Sequence, residues 1–146
     1  MLIPMNEVAL VHLVNDETPL ELPGLLVDTD STQCINILVN LDPARTCQGV
    51  ARATSGKNLI IIATGTACNQ LPAIALALRA TGKQILGYQL LQPTLPPFTD
   101  SWPQAPITAY FPAGFIIPKE LTLRGITIKE FANLLEFARF IEDNCP

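Results

Sequence analysis

The chain has 146 residues, of which 49% are hydrophobic and only 15% charged, and its formal net charge is −4. This length predicts one α/β domain over residues 1–146, and the lack of any run of Lys or Arg argues against a nucleic-acid partner. Because an average domain is roughly 25% charged, some apolar surface should be covered in an assembly, and we expect a homodimer or larger homo-oligomer.

The N-terminal residues lack the basic start and apolar stretch of a signal peptide. The longest unbroken apolar run, residues 73–78, has six residues and residues 59–63 form a run of five, so no run is long enough to cross a bilayer. The four cysteines show no C-x-x-C spacing, and His12 is the only histidine, which excludes the common zinc patterns. We therefore expect a cytoplasmic protein with reduced thiols, no membrane contact, no metal and no cofactor.

The first half of the chain contains one clear strand and one ambiguous segment. Residues 7–14 alternate weakly and are rich in Val and Leu, which predicts a strand. Residues 34–41 fit both the apolar spacing of a helix and the alternation of a strand, and the helix is the preferred interpretation. Asp42 followed by Pro43 predicts an N-cap and the first turn of a helix that runs to about residue 53.

The middle of the chain predicts a βαβ unit with parallel strands. Residues 58–63 form a continuous apolar run, as expected of a strand covered on both faces. Asn69 is expected to cap a helix that reaches about residue 80, and Gly82 occupies its C′ position. Residues 84–91 are the next strand.

The remainder predicts a loop, a strand and a helix. Residues 92–106 are rich in proline and form a loop, and residues 107–111 form a short strand. Thr127 and Glu130 have the spacing of a capping box and are expected to open a final amphipathic helix. The whole pattern predicts a three-layer α/β fold with a mostly parallel sheet of about four or five strands.

Three segments together carry a family resemblance. Residues 58–64 precede the turn Gly65-Thr66-Ala67-Cys68-Asn69, residues 87–93 form a strand that ends before a proline, and residues 8–12 end in His12. This arrangement resembles the α/β-hydrolase superfamily, whose G-x-S-x-G elbow follows the nucleophile strand. The resemblance implies a shortened α/β-hydrolase-like fold of the esterase or thioesterase kind.

The departures from that family pattern decide the expected chemistry. Ala67 stands where the family has its serine, Asn69 replaces the closing glycine, and no histidine follows His12. A complete Ser-His-acid triad is therefore absent, and we expect a non-catalytic relative that binds a small acyl or acidic ligand, or a protein partner. The candidate ligand-binding residues are His12 and the turn whose backbone N–H groups favour anions: Thr64, Gly65, Thr66, Ala67 and Cys68.

Two enzymatic alternatives stay open. Cys68, at a helix start that favours a thiolate, is a candidate nucleophile for a residual hydrolase or thioesterase, with His12 as the other catalytic candidate. It is also expected to behave as a buried apolar residue. Asp28 and Asp30 resemble the D-x-D-x-T signature of haloacid-dehalogenase phosphatases, which implies an Mg²⁺-dependent phosphatase, but Asp30 also suits a helix cap. Trp102 is expected to cover the core or an interface.

Overall fold

The computed structural model describes residues 8–14, 32–39, 42–54, 56–100, 102–133, 135–137 and 139. Its strands form one sheet in the order β2-β1-β3-β4-β5-β6, and each neighbouring pair in that order is parallel. The strands are β1 (Val8–Val14), β2 (Thr32–Leu38), β3 (Asn58–Thr64), β4 (Gln84–Leu91), β5 (Ile107–Pro112) and β6 (Thr127–Phe131).

Helical segments connect several of these strands. They are α1 (Pro43–Ala53), a 3₁₀ turn (Gly65–Gln70) that leads directly into α2 (Leu71–Ala80), and the short α3 (Lys119–Leu123). Helical residues 135–137 and 139 follow β6. Among the described residues, no helix has the length and apolar character needed to cross a membrane.

The two faces of the sheet bury two separate apolar clusters. On the face that we call the front, Val11, Leu13 and Ile61 pack with Val50 of α1 and Ile74 of α2. The opposite face, which we call the back, carries the intervening side chains of β1, β3 and β5. They include Leu10, Ile60, Ile62 and Tyr110. Phe137 covers part of the back face, with its ring centroid 5.0 Å from that of Tyr110. The expected three-layer α/β fold with a parallel sheet is confirmed.

Local sequence signals placed the central elements correctly. The Asp42 side chain accepts a hydrogen bond from the Ala44 backbone N–H at 3.0 Å, so it caps α1. Gly82 has φ +86° and follows α2, where the Lys83 N–H bonds back to the Leu78 carbonyl at 3.0 Å. This is the expected glycine-terminated helix end.

The helix expected over residues 34–41 is wrong, because this segment contributes to strand β2. Each residue from Thr32 to Leu38 pairs with a residue of β1. Pairing with a neighbouring strand satisfies the backbone of a segment whose apolar pattern suits either structure. With β2 and β6 included, the described part of the chain contributes six strands to the sheet, where four or five were expected.

The capping box expected at Thr127 and Glu130 is also wrong. Both residues lie in β6, which pairs with β5 through residues 108–112. Instead, the Asn133 side chain accepts a hydrogen bond from the Glu136 N–H at 2.9 Å and starts the helical residues that follow. Asn69 does not cap α2, because it lies inside the 3₁₀ turn and Gln70 occupies the N-cap position without a side-chain bond.

Candidate functional site

The strand order creates a topological switch point between β1 and β3. After β1 the chain moves outward to β2, returns past β1 to form β3, and then continues in the other direction towards β6. Open α/β sheets bind ligands in the crevice beyond the carboxyl ends of the strands at such a point. Here those ends are Val14 of β1 and Thr64 of β3, so the turn after Thr64 is a candidate site.

The turn after β3 leaves space above its backbone. Gly65 has φ +54°, and a Cβ atom built there would meet no described residue within 4 Å. The Thr64 hydroxyl next to it is buried and has no hydrogen-bond partner among the residues that the structure describes. Thr66 is exposed, whereas Ala67 and Cys68 are buried. Of the turn residues predicted to bind a ligand, only Thr64, Gly65 and Thr66 are therefore accessible to solvent.

The change of direction after β3 occurs at Gly65, two residues before Ala67, which the sequence analysis placed at the expected nucleophile position. Ala67 is 3% exposed, lies inside the 3₁₀ turn and packs into the front core. The Thr94 backbone N–H donates to the Gly65 carbonyl at 3.2 Å, so the proline-rich loop lies against this turn. Even a nucleophilic side chain at position 67 would meet buried apolar neighbours.

Cys68 is placed as a core residue. Its side chain is fully buried, and burial raises the pKa of the thiol to about 12, with a smaller opposing effect from a hydrogen bond of the Thr94 backbone. Because the thiolate is the nucleophilic form of cysteine, this environment suppresses reactivity. The partial charge at the start of the 3₁₀ turn does not compensate for the loss of water.

His12 and Cys68 are on opposite faces of the sheet. Val11 and Leu13 point into the front core, which also contains Cys68, so His12 between them points to the back. His12 is 3% exposed and pairs with Ile62 of β3. The structure thus brings His12 and Thr64 to the same face on adjacent strands, and it separates His12 from Cys68.

Two buried polar residues on the back face were missed by the sequence analysis. Gln89 of β4 is 8% exposed and aligns beside Ile62, which His12 flanks from the other side. The Tyr110 hydroxyl donates to the Gln89 side-chain oxygen at 2.5 Å. The only signal in the sequence was a glutamine inside an otherwise apolar strand, and it did not identify the partner.

The remaining predicted residues are the two aspartates of the phosphatase alternative and Trp102. Asp28 and Asp30 lie outside the described residues, and within the described ranges no group of three or more His, Cys, Asp or Glu side chains could hold a metal ion. Trp102 is 1% exposed and covers the front core, with its ring 5.8 Å from that of Tyr88 and 5.1 Å from that of Phe98.

The fold and the geometry of this turn are therefore the basis for any functional conclusion. Comparison of the chain with models of known protein families, with curated protein sequences and with solved structures finds no match.

Proposed function

We propose that this protein binds a small acyl or acidic ligand at the carboxyl edge of the sheet, between β1 and β3, and does not hydrolyse it with a Ser-His-acid triad. The observation that carries the proposal is the space above Gly65, which no described residue fills, next to the buried Thr64 hydroxyl, which has no hydrogen-bond partner in the described part of the chain. A buried hydroxyl without a hydrogen bond is costly, by about 1–3 kcal/mol. A ligand oxygen at this place would remove that cost.

The position of the turn supports the proposal independently of its side chains. It follows a strand that is buried on both faces and lies at the switch point of the sheet, where ligands of open α/β folds bind. Gly65 allows a ligand to approach the backbone, because it has no side chain to fill the space. The relationship to α/β-hydrolases belongs to this proposal and is supported by the parallel sheet and by the order strand, turn and helix around β3.

The arrangement of the candidate nucleophiles favours binding over hydrolysis. Ala67 has no nucleophilic atom, and Cys68 is buried on the face opposite His12. A thiol without a positioned base and with a raised pKa is a poor nucleophile. The described residues therefore support a binding protein better than a thioesterase.

The test combines a binding measurement with a turnover measurement. Sodium butyrate is titrated while backbone amide NMR shifts are recorded, and p-nitrophenyl butyrate is used as the hydrolysis substrate. We expect the amides of residues 64–66 to shift in a saturable way, with no turnover above the rate in buffer. Turnover that is lost in Cys68→Ala would contradict the proposal, and so would butyrate shifts that leave residues 64–66 unchanged.

Matched variants make the test specific to the turn. Gly65→Ala places a methyl group in the open space and should weaken butyrate binding about tenfold or more, an energy of about 1.4 kcal/mol. Gly125→Ala is the control, because Gly125 also has a positive φ (+78°) and nothing within 4 Å of its hypothetical Cβ, but precedes β6. Thr64→Val removes the hydroxyl with little change in shape and should also weaken binding.

A homo-oligomer in the cytoplasm is the second part of the proposal. Between β5 and β6, Ile116 is 90% exposed, Leu123 85% and Phe115 45%, which is a large apolar exposure for one connection. The buried Cys47 and Cys68 are free thiols, which suits a reducing compartment. Light scattering should give a mass above the 15.8 kDa of one chain, and a monomer at all concentrations would contradict the oligomer.

A further inference from the structure

A cavity lies at the amino edge of the sheet, opposite the edge that carries Gly65. It has a volume of about 180 Å³ and lies between the end of α2 and the beginning of β4. The residues that line it include four with polar or charged side chains, which are Arg79, Lys83, Gln84 and Gln104. Gln104 belongs to the proline-rich loop before β5, so three separate parts of the fold meet here.

A β-bulge in β4 shapes the inner wall of this cavity. Leu59 of β3 pairs with Ile85, whereas the next residue, Ile60, pairs with Gly87, which leaves Leu86 as the extra residue. In a regular strand, residues 85 and 88 would point to opposite faces, because side chains alternate. The bulge places Ile85 and Tyr88 on the same front face. Together with Ala75 of α2 they form an apolar wall.

Both charged residues in the lining of the cavity are basic. The Lys83 ammonium donates to the Thr54 carbonyl at 3.3 Å and also to the Gly56 carbonyl, which holds it in place. Burial raises the pKa of the Tyr88 hydroxyl, and the positive charge of the exposed Arg79 opposes that rise. None of the described residues that line the cavity is acidic. The lining of one small cavity therefore contains two basic residues of a net acidic chain.

We propose that this cavity binds a small organic acid, with the carboxylate on Arg79 and Lys83 and the apolar body against Ala75, Ile85 and the ring of Tyr88. A guanidinium matches the two oxygens of a carboxylate, and the fixed ammonium adds a second charge. The apolar wall distinguishes an organic acid from inorganic phosphate, which has no apolar part. A cavity of roughly 150 Å³ is known to hold a benzene ring, so a single-ring acid suits the volume found here.

Trp102 provides a direct signal for occupancy. It is the only tryptophan of the chain, it is 1% exposed, and its ring contacts Tyr88 edge to face at 5.8 Å between centroids. Burial raises the pKa of the Tyr88 hydroxyl, and the Trp102 side chain beside it opposes that rise. A ligand that packs against the Tyr88 ring should change the fluorescence of this one tryptophan.

The experiment titrates the full-length protein with sodium benzoate and records Trp102 fluorescence, with neutral benzamide and inorganic phosphate as comparisons. We expect saturable benzoate binding with a Kd of about 1 mM or tighter, and benzamide and phosphate each weaker by about tenfold or more. Arg79→Gln should weaken benzoate binding about tenfold. Arg52→Gln removes the same charge from an exposed helix end outside the cavity and should change binding less than about twofold.

Two further variants keep the test decisive. Gln104→Glu adds a negative charge at the exposed rim of the cavity and should weaken benzoate binding even if Arg79→Gln does not fold. Thr64→Val lies at the opposite edge of the sheet and should leave benzoate binding unchanged, which separates this site from the one proposed above. Equal binding of benzoate and benzamide, tighter binding of phosphate, or benzoate binding that survives both cavity variants would overturn the proposal. Absence of saturable benzoate binding would do the same.

Discussion

The Tyr110 hydroxyl donates to the Gln89 side-chain oxygen across two neighbouring parallel strands, at 2.5 Å. Tyr110 is fully buried and Gln89 is 8% exposed, so neither group can easily exchange this bond for one to water. The bond joins β4 and β5 on the back face, where Phe137 packs on the Tyr110 ring. It is a buried polar contact inside an apolar layer.

Removal of this hydroxyl should destabilise the fold. Tyr110→Phe leaves the Gln89 amide oxygen without its donor, and the expected loss is about 1–3 kcal/mol in the free energy of unfolding. Urea denaturation measures it. The double variant Tyr110→Phe with Gln89→Leu should recover part of the loss, because no unpaired polar group remains. Equal stability of Tyr110→Phe and the wild type would show that the bond contributes nothing.

Cys68 should resist alkylation in the native protein. Its pKa is raised from 9.0 to about 12 by burial, which lowers the thiolate population at neutral pH about a thousandfold. Iodoacetamide at about pH 8 should leave Cys68 unmodified until urea unfolds the chain, and peptide mass spectrometry reads the result. Rapid modification of Cys68 in the folded protein would revive the thiol-nucleophile hypothesis.

Stability should decrease at alkaline pH. Burial raises the pKa of Cys68 to about 12 and that of Tyr88 from 10.0 to about 12. Between the ordinary and the raised values the unfolded chain binds fewer protons than the native protein, so the free energy of unfolding falls as pH rises. The contribution is fully present below about pH 9 and is lost as pH approaches about 12.

A variant isolates the cysteine part of this effect. Urea denaturation between about pH 8 and pH 11 should show a smaller decrease for Cys68→Ala than for the wild type, because the substituted residue has no proton to release. Cys68→Ala itself should be less stable at neutral pH, since it removes a buried sulfur. Parallel curves for the two proteins would show that Cys68 does not titrate with an altered pKa.

Two glycines should respond to alanine with opposite signs. Gly82 follows α2 with φ +86°, a conformation that disfavours a Cβ, so Gly82→Ala should cost about 1 kcal/mol. Gly49 lies inside α1, where a new Cβ would meet only the Ile37 side chain, at 3.6 Å. Gly49→Ala should therefore stabilise the protein by up to about 1 kcal/mol. Thermal denaturation of both variants shows directly whether each substitution raises or lowers the stability of the protein.

The central elements were predictable because their signals are local and agree with one another. Three local signals each indicate a single structure and do not depend on distant residues. They are the continuous apolar run of β3, the Asp42 cap of α1 and the glycine at position 82 that ends α2. The pattern of β2 suits a helix or a strand and the helix was preferred, whereas the residues of β6 were assigned to the start of a helix. Pairing with β1 and β5 decided them.

The candidate site was predictable only in part. The position of the turn at Gly65 could be predicted from the glycine and from the apolar strand before it. The solvent exposure of the turn could not be predicted. The face that carries His12 depends on strand register, and one step along a strand reverses it. No sequence pattern could have joined Arg79, Tyr88 and Gln104 in one cavity, because a bulge and a loop bring them together.

The amino-acid sequence by itself determined the class of the fold and the lack of a serine at position 67, because apolar periodicity, helix caps and residue identity are local properties. Only the tertiary structure decided which side chains share a face, which thiol loses water and where open space remains. Those properties arise when strands far apart in the chain pair in one register and exclude solvent between the layers.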